Sequence, residues 1–286
     1  MLGRRGALRF LALPPYVWLA VFFLAPLLLI VAISFRPETG PIDLDDPWTF
    51  TIAQYQRILE TPAYLRRLGM SVVVALVVAT AATVLAYPIA YFLAFRARER
   101  AVFFLVLLLI PFAVSYLLRV MAWRLMLGGE GAINSLLEWL GVISAPLDLL
   151  IYSPVAVVVT LIYVWIPFAA LPVYAALQRI ERGHLEAAAD LGAGPWTRFA
   201  RVTVPLSLPG AVAAFFMVFI PTVGEYVTPS LVGGTEGYMY GNIIQDFFSQ
   251  AASWATGAAL AVIMLLLTLA LVAVALRLID VRRLAS

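Results

Sequence analysis

The run VTVPLSLPGAVAAFFMVFIPTVG, residues 202–224, passes 23 positions without a charge. About 20 apolar residues suffice to cross the hydrocarbon of a bilayer as an α-helix. Uncharged runs of comparable length occupy 10–35, 68–95, 101–118, 149–178 and 247–276. In lipid every backbone N–H and C=O must be bonded internally, so the six runs read as six membrane helices. A transmembrane barrel would need alternating strands, and VFFLVLLLI (102–110) does not alternate. The expectation is an all-α membrane protein, with one transmembrane domain over 1–286.

Composition agrees and narrows the function. Of 286 residues 64% are apolar and 12% charged, whereas soluble domains are about half apolar and a quarter charged. The mean hydropathy is +0.99. All 19 basic residues are arginine. Without lysine there is no Walker A loop and no Schiff-base chemistry. The absence of cysteine and the single histidine, His184, exclude disulfides, thiol catalysis and Cys/His zinc sites. No cofactor or metal is expected on this chain, and any ATP it uses must be bound by another polypeptide.

Charge sets an expected orientation. The N-terminus, 96–100, 179–201 and the C-terminus carry 13 arginines and five acids, a net +8. The intervening segments 36–67, 119–148 and 225–246 carry six arginines and eleven acids, a net −5. The positive-inside bias places both termini and the 179–201 loop in the cytoplasm. The pI near 9.3 then reflects anchoring against membrane lipid rather than nucleic-acid binding. Arg4, Arg5 and Arg9 resemble the n-region of a signal peptide. The apolar stretch Tyr16–Phe35 is too long for its h-region, so it is expected to be retained as the first membrane helix.

Between the first two runs, Pro37, Pro41 and Pro47 with Asp43, Asp45 and Asp46 read as a loop. Thr51 to Leu68 reads as a short helix along the outer surface. Ile133, Leu136, Leu137 and Leu140 fall at helical spacing within 131–145, an interfacial amphipathic helix. At the outer end of the third run, Arg119 and Arg124 flank Trp123 and are expected to snorkel to the headgroups, with pairing to Glu130 the rival.

The loop RIERGHLEAAADLGAGPWTRFARVTVP, residues 179–205, has its own pattern. Glu186–Leu191 favours a helix, Gly192 and Gly194 break it, and Pro195 can open a second one. Such a knob, faced with alanines, suits either a docking surface or a solvated connector.

These residues resemble the signature E-A-A-x(3)-G-x(9)-I-x-L-P of bacterial binding-protein-dependent importer permeases. Glu186, Ala187, Ala188, Gly192 and Pro205 match it, with Val202 and Val204 in the aliphatic positions. The resemblance implies the architecture of a type I ABC importer permease. It implies a core fold over about 64–280, an extra N-terminal helix at about 14–35, and a cytoplasmic coupling loop at 179–205. It also implies that Glu186, Ala187, Ala188, Asp190, Gly192 and Pro205 serve coupling to a separate dimeric ABC ATPase. Further expected partners are a second permease subunit, usually a paralogue, and a periplasmic solute-binding protein. The location implied is the bacterial inner membrane.

A second likeness lies in PTVGEYVTPSLVGG (221–234) and YGNIIQDFF (240–248). Gly224, Glu225, Tyr226, Gly233, Gly234, Gly241 and Asn242 are similar to the spermidine/putrescine branch of these permeases. Parts of the pattern are shared with iron, phosphonate and opine permeases, so those solutes stand as alternatives.

Glu225 closes the uncharged run. A carboxylate within the bilayer costs about 2.5–3.5 kcal/mol at the centre, so such groups favour a cavity or a partner. At the outer interface it would be an ordinary helix-end charge. Asp246, Tyr226, Tyr163, Trp165 and Trp123 are the further candidates for the pathway of an organic cation, the aromatics through their ring faces. Each aromatic also suits a membrane-interface belt. His184 reads as solvated packing. No helix interior holds two acids and His184 lies in the loop, which argues against an intramembrane enzyme. A stand-alone secondary carrier usually shows repeated halves and more helices.

Overall fold

The computed structural model describes residues 14–37, 49–147, 150–251 and 253–278. The arginines of both extreme termini and the aspartates of the first loop lie outside the described residues. All regular structure among the described residues is helical. In chain order the helices are α1 (Pro14–Ser34), α2 (Ala53–Glu60), α3 (Pro62–Ala97), α4 (Ala101–Leu109), α5 (Tyr116–Leu127) and α6 (Ala132–Trp139). They continue as α7 (Pro154–Gln178), α8 (Arg182–Asp190), α9 (Pro195–Val223), α10 (Tyr240–Ser249) and α11 (Trp254–Leu278).

Five of these, α1, α3, α7, α9 and α11, are long and apolar enough to cross a membrane. The third expected run is not straight. It continues from α4 through a 3₁₀ turn to Ala113, then breaks and turns by 85° into Tyr116–Trp139. Pro111 supplies the physical reason, since it lacks an N–H and tightens the turn before extended Val114. The helix expected over 51–68 also divides: α2 ends at Glu60, and Pro62, a favourable first-turn residue, opens α3. The sixth run divides likewise, between α10 and α11.

By density of contact the chain falls into two units. One takes residues up to Leu65 with Ile243–Leu267. In it α2 is held on both sides. Its Tyr55 hydroxyl bonds Ser34 at 2.6 Å, and the Oε1 of its buried Gln54 accepts from Thr256 at 2.9 Å. Ile58 is fully buried.

The other unit takes Arg66–Asn242 with the chain from Thr268. Its spine is the contact of α7 with α9. A Cβ on Gly210 would stand 2.4 Å from the Ala176 Cβ and 2.6 Å from the Pro172 carbonyl oxygen, so only glycine permits this approach. On α3 the buried face is a stripe of small residues, Ala75, Val78, Ala79, Ala82, Ala86 and Ala90. The opposite face leaves Val73, Val77 and Val84 exposed, as a lipid-facing surface does. Tyr87 ties α3 to α9 through a 2.6 Å bond to Ser207. On α6 the inward position goes to Asn134, which donates to the Gly128 carbonyl and accepts from the Leu147 N–H. Leu136 and Leu140 are left exposed.

Candidate functional site

The 179–205 segment forms the expected helix, turn and helix. α8 ends in a two-bond glycine cap: Gly192 N–H donates to the Ala189 carbonyl at 2.8 Å and Ala193 N–H to that of Ala188 at 3.0 Å. This 6→1 and 5→2 pairing needs a left-handed residue between, and Gly192 sits at φ +82°. Gly194 then caps α9 and Pro195 starts it. Pro205 is exposed, just beyond a π-helical turn over Phe199–Thr203. That widening fits a residue with no N–H to offer the helix.

The knob buries almost nothing of itself. Glu186, Ala187 and Asp190 are exposed, whereas Ala188, with Leu185, is half-buried toward its own chain. Two large apolar residues stand out in the open, Leu191 at 89% and Trp196 at 76% exposed. Neither emerges from the signature. The signal for them is local, since Leu191 directly precedes the left-handed glycine and Trp196 follows the helix-opening proline. Both positions throw side chains off the helix end.

The 221–242 segment is built in the opposite way. Beyond the end of α9, Glu225 accepts through Oε1 from the N–H groups of Val227 at 2.9 Å and Thr228 at 3.1 Å. It therefore caps the next helical turn as an N-terminal carboxylate does. Asn242 is fully buried. It donates to the Tyr226 carbonyl and the Ser230 hydroxyl and accepts from the Met239 N–H, all within 2.7–2.9 Å. Gly241 lies where a Cβ would come 2.6 and 2.7 Å from the carbonyl oxygens of Gly224 and Glu225. Gly234, at φ +58°, fits against the backbone of Tyr152. Arg67 closes the loop, donating to the carbonyls of Thr235, Glu236 and Tyr238 at 2.9–3.0 Å. Sequence reasoning missed Arg67, because it reads as one more charge flanking a membrane run.

The structure brings part of the expected pathway together. The Glu225 carboxylate stands beside the Tyr116 hydroxyl, and the Arg119 guanidinium lies 5.8 Å from the centre of the Tyr116 ring. Tyr116 in turn bonds Thr228 at 2.6 Å. The Arg119 guanidinium lies 4.4 Å over the Phe112 ring, Phe112 meets Phe168 edge-on at 4.2 Å, and Phe168 meets Trp165 at 5.6 Å. Trp123 and Tyr163 pair at 5.3 Å. Arg124 turns to the Tyr152 hydroxyl at 3.0 Å rather than to Glu130. Tyr226 is 44% exposed beside its buried neighbours. Asp246 belongs to the other unit, where Gln250 donates to its carboxylate at 3.3 Å. One oxygen of Glu225 is thus committed to the backbone, and the carboxylate adjoins Tyr116, whose ring lies next to the Arg119 guanidinium.

The chain is similar to known proteins over most of its length. Residues 82–285 match the family described as binding-protein-dependent transport system inner membrane component. The chain is 34% identical over 244 residues to the spermidine/putrescine transport system permease protein PotB of Escherichia coli (strain K12), covering 85% of this chain and 86% of that one. It is 31% identical over 248 residues to the inner membrane ABC transporter permease protein YdcU of the same organism, covering 82% and 77%. In fold it is similar to a chain of a bacterial ABC transporter involved in the import of the acidic polysaccharide alginate. That likeness has a TM-score of 0.73 at 17% identity and covers 100% of this chain and 98% of that one. The family rests on the match over residues 82–285 and on the identity to these permeases: this chain belongs to the binding-protein-dependent transport system inner membrane components.

Proposed function

We propose that the chain is a permease subunit of an ATP-binding-cassette importer and that its cargo is a polyamine of the spermidine/putrescine class. The observation that carries the reading is the likeness to PotB across 85% of the chain. The Glu225 cluster supports it, because a polycation gains from a carboxylate with one oxygen uncommitted and from aromatic faces nearby. The whole chain serves as one membrane domain in the inner membrane. Both termini and the α8 knob face the cytoplasm, in keeping with the +8 and −5 division of charge.

A dimeric ABC ATPase seats on the knob and binds the ATP. Glu186, Ala187, Asp190 and the exposed Leu191 and Trp196 meet it, while Gly192 fixes the shape they ride on. A second, paralogous permease completes the pathway, and a periplasmic solute-binding protein delivers the cargo. The test is uptake of labelled spermidine and putrescine by cells lacking their own polyamine import and expressing this chain with its partner subunits. Saturable uptake, competed by the other polyamine and abolished by an ATPase-inactive partner, is the expected result. Uptake of an opine, aminophosphonate or ferric iron in place of either polyamine would overturn the cargo while leaving the importer class intact.

A further inference from the structure

Three spanning helices have an end near the knob: α3 closes at Ala97, α7 closes at Gln178 and α9 opens at Pro195. A cavity of about 650 Å³ lies between those ends and α8, within the roughly 300–1,000 Å³ of small-ligand sites. Its walls differ in character. Phe95 and Leu185 line it with apolar surface, and Gln178, Arg182, Glu186 and Arg198 line it with polar groups. The Gln178 amide is engaged by the Tyr174 hydroxyl. Arg198 Nε is buried and has no hydrogen-bond partner among the described residues. Glu186 lines the same cavity, yet no bond joins it to either arginine among the described residues.

We propose that this cavity binds the phosphate headgroup of an anionic phospholipid from the leaflet on the knob's side. A buried guanidinium N–H calls for an acceptor, and planar guanidinium groups meet phosphate oxygens in paired, charge-assisted bonds. The place is right for a headgroup, because helices that cross the hydrocarbon end where the phosphates lie. The mixed lining is right as well. Arg182 and Arg198 take the phosphate, while Phe95 and Leu185 take the glycerol and the first carbons of an acyl chain, for which a soluble anion has no use. Glu186 gives the site its consequence. With the arginines held by lipid phosphate its carboxylate stays available to the docking partner; without lipid it competes for the same two cations.

The test measures lipid retained by the complete transporter, purified with its partner subunits and equilibrated with vesicles of phosphatidylcholine and phosphatidylglycerol. Phosphatidylglycerol is expected to be held in preference to phosphatidylcholine. Arg182→Gln or Arg198→Gln weakens that retention roughly fivefold each, and the pair about thirtyfold, at about 1 kcal/mol per arginine near the membrane surface. Arg201→Gln removes the same charge three residues from Arg198 without touching the cavity and leaves retention unchanged. Arg198→Lys, which keeps the charge without the planar fork, gives intermediate retention and serves where the glutamine variants do not assemble. Equal retention by the double variant, or equal loss with Arg201→Gln, would overturn the site. Displacement of the lipid by inorganic phosphate would make it a free-anion site instead. Retention by the permease alone that vanishes on ATPase assembly would assign the cavity to a carboxylate of that partner.

Discussion

The knob at 182–194 and the knot at 224–242 both carry signature residues, and both depend on glycine, for unrelated reasons. At Gly192 the requirement is conformational: φ is +82° and a Cβ would meet nothing within 4 Å. At Gly241 the requirement is spatial, because two backbone carbonyl oxygens occupy the place of a Cβ. The knob is an exposed shape fixed by its own hydrogen bonds, whereas the knot is a buried crossing fixed by its neighbours. A surface that serves a partner must leave side chains in the open. A crossing that holds a helix end and a loop together must close on itself. Changes in the knot should therefore act through folding, and changes in the knob through what docks there.

Gly241→Val is the most severe test of the contrast. With backbone on both sides there is no side chain to move aside, and a cost of about 3 kcal/mol or more is expected. The readout is loss of monodisperse subunit in detergent, and retention of a parent-like unfolding temperature would show that the crossing is loose. Next is Asn242→Leu, which leaves the Met239 N–H without its acceptor in a buried place, while the Tyr226 carbonyl keeps the N–H and hydroxyl of Ser230. A loss of about 1–3 kcal/mol is expected, the cost of one buried group left unpaired. It is measured as a lowered unfolding temperature with unchanged membrane insertion.

Glu225→Gln separates charge from architecture, because glutamine keeps an oxygen to accept from Val227 and Thr228. Stability should change by less than about 1 kcal/mol. The apparent affinity for spermidine uptake should fall between about fivefold and several hundredfold, a near-surface charge interaction being worth about 1–4 kcal/mol. Unchanged uptake at every concentration would leave Glu225 as a helix cap alone. Gly192→Val should cost about 1–2 kcal/mol, local to the knob. It should abolish substrate-stimulated ATP hydrolysis in an otherwise stable subunit, whereas Gly192→Asn, tolerant of a left-handed backbone, keeps most of it. A Gly192→Val subunit that remains fully stimulated would break the comparison, making the knob a mere connector.

Legibility differs along the chain for physical reasons. The helix–turn–helix of 179–205 is readable because its determinants are local: a helix-forming run, a left-handed glycine and a proline that opens a helix all act within a few residues. The break between Ala113 and Tyr116 is not, since a charge-free run shows length and apolarity but no bend, and Pro111 alone does not say whether a helix kinks or stops. Ala188 illustrates a subtler gap. The signature places it on the knob, but only the packed structure shows it half-turned toward its own chain with Leu185, so Ala187 is the better position for a bulky probe of docking. The contacts of Arg67 and Asn242 lie outside reach for a similar reason. Their partners are carbonyls and hydroxyls brought close by folding, and no spacing within the sequence announces a hydrogen bond across 171 residues such as Arg67 to Tyr238.

By itself the sequence determined the solvent and the class of structure. Long charge-free runs demand internally bonded helices in lipid, and a chain without lysine has no Walker A loop of its own. Tertiary structure decided which signature residues face outward and which are locked in. It also decided that Glu225 caps a helix beside Tyr116, and that Arg182, Arg198 and Glu186 share one cavity at three helix ends. Apolarity and helical propensity sum along the chain and can be read there. The direction a side chain faces, and the group it meets, depend on how distant helices cross.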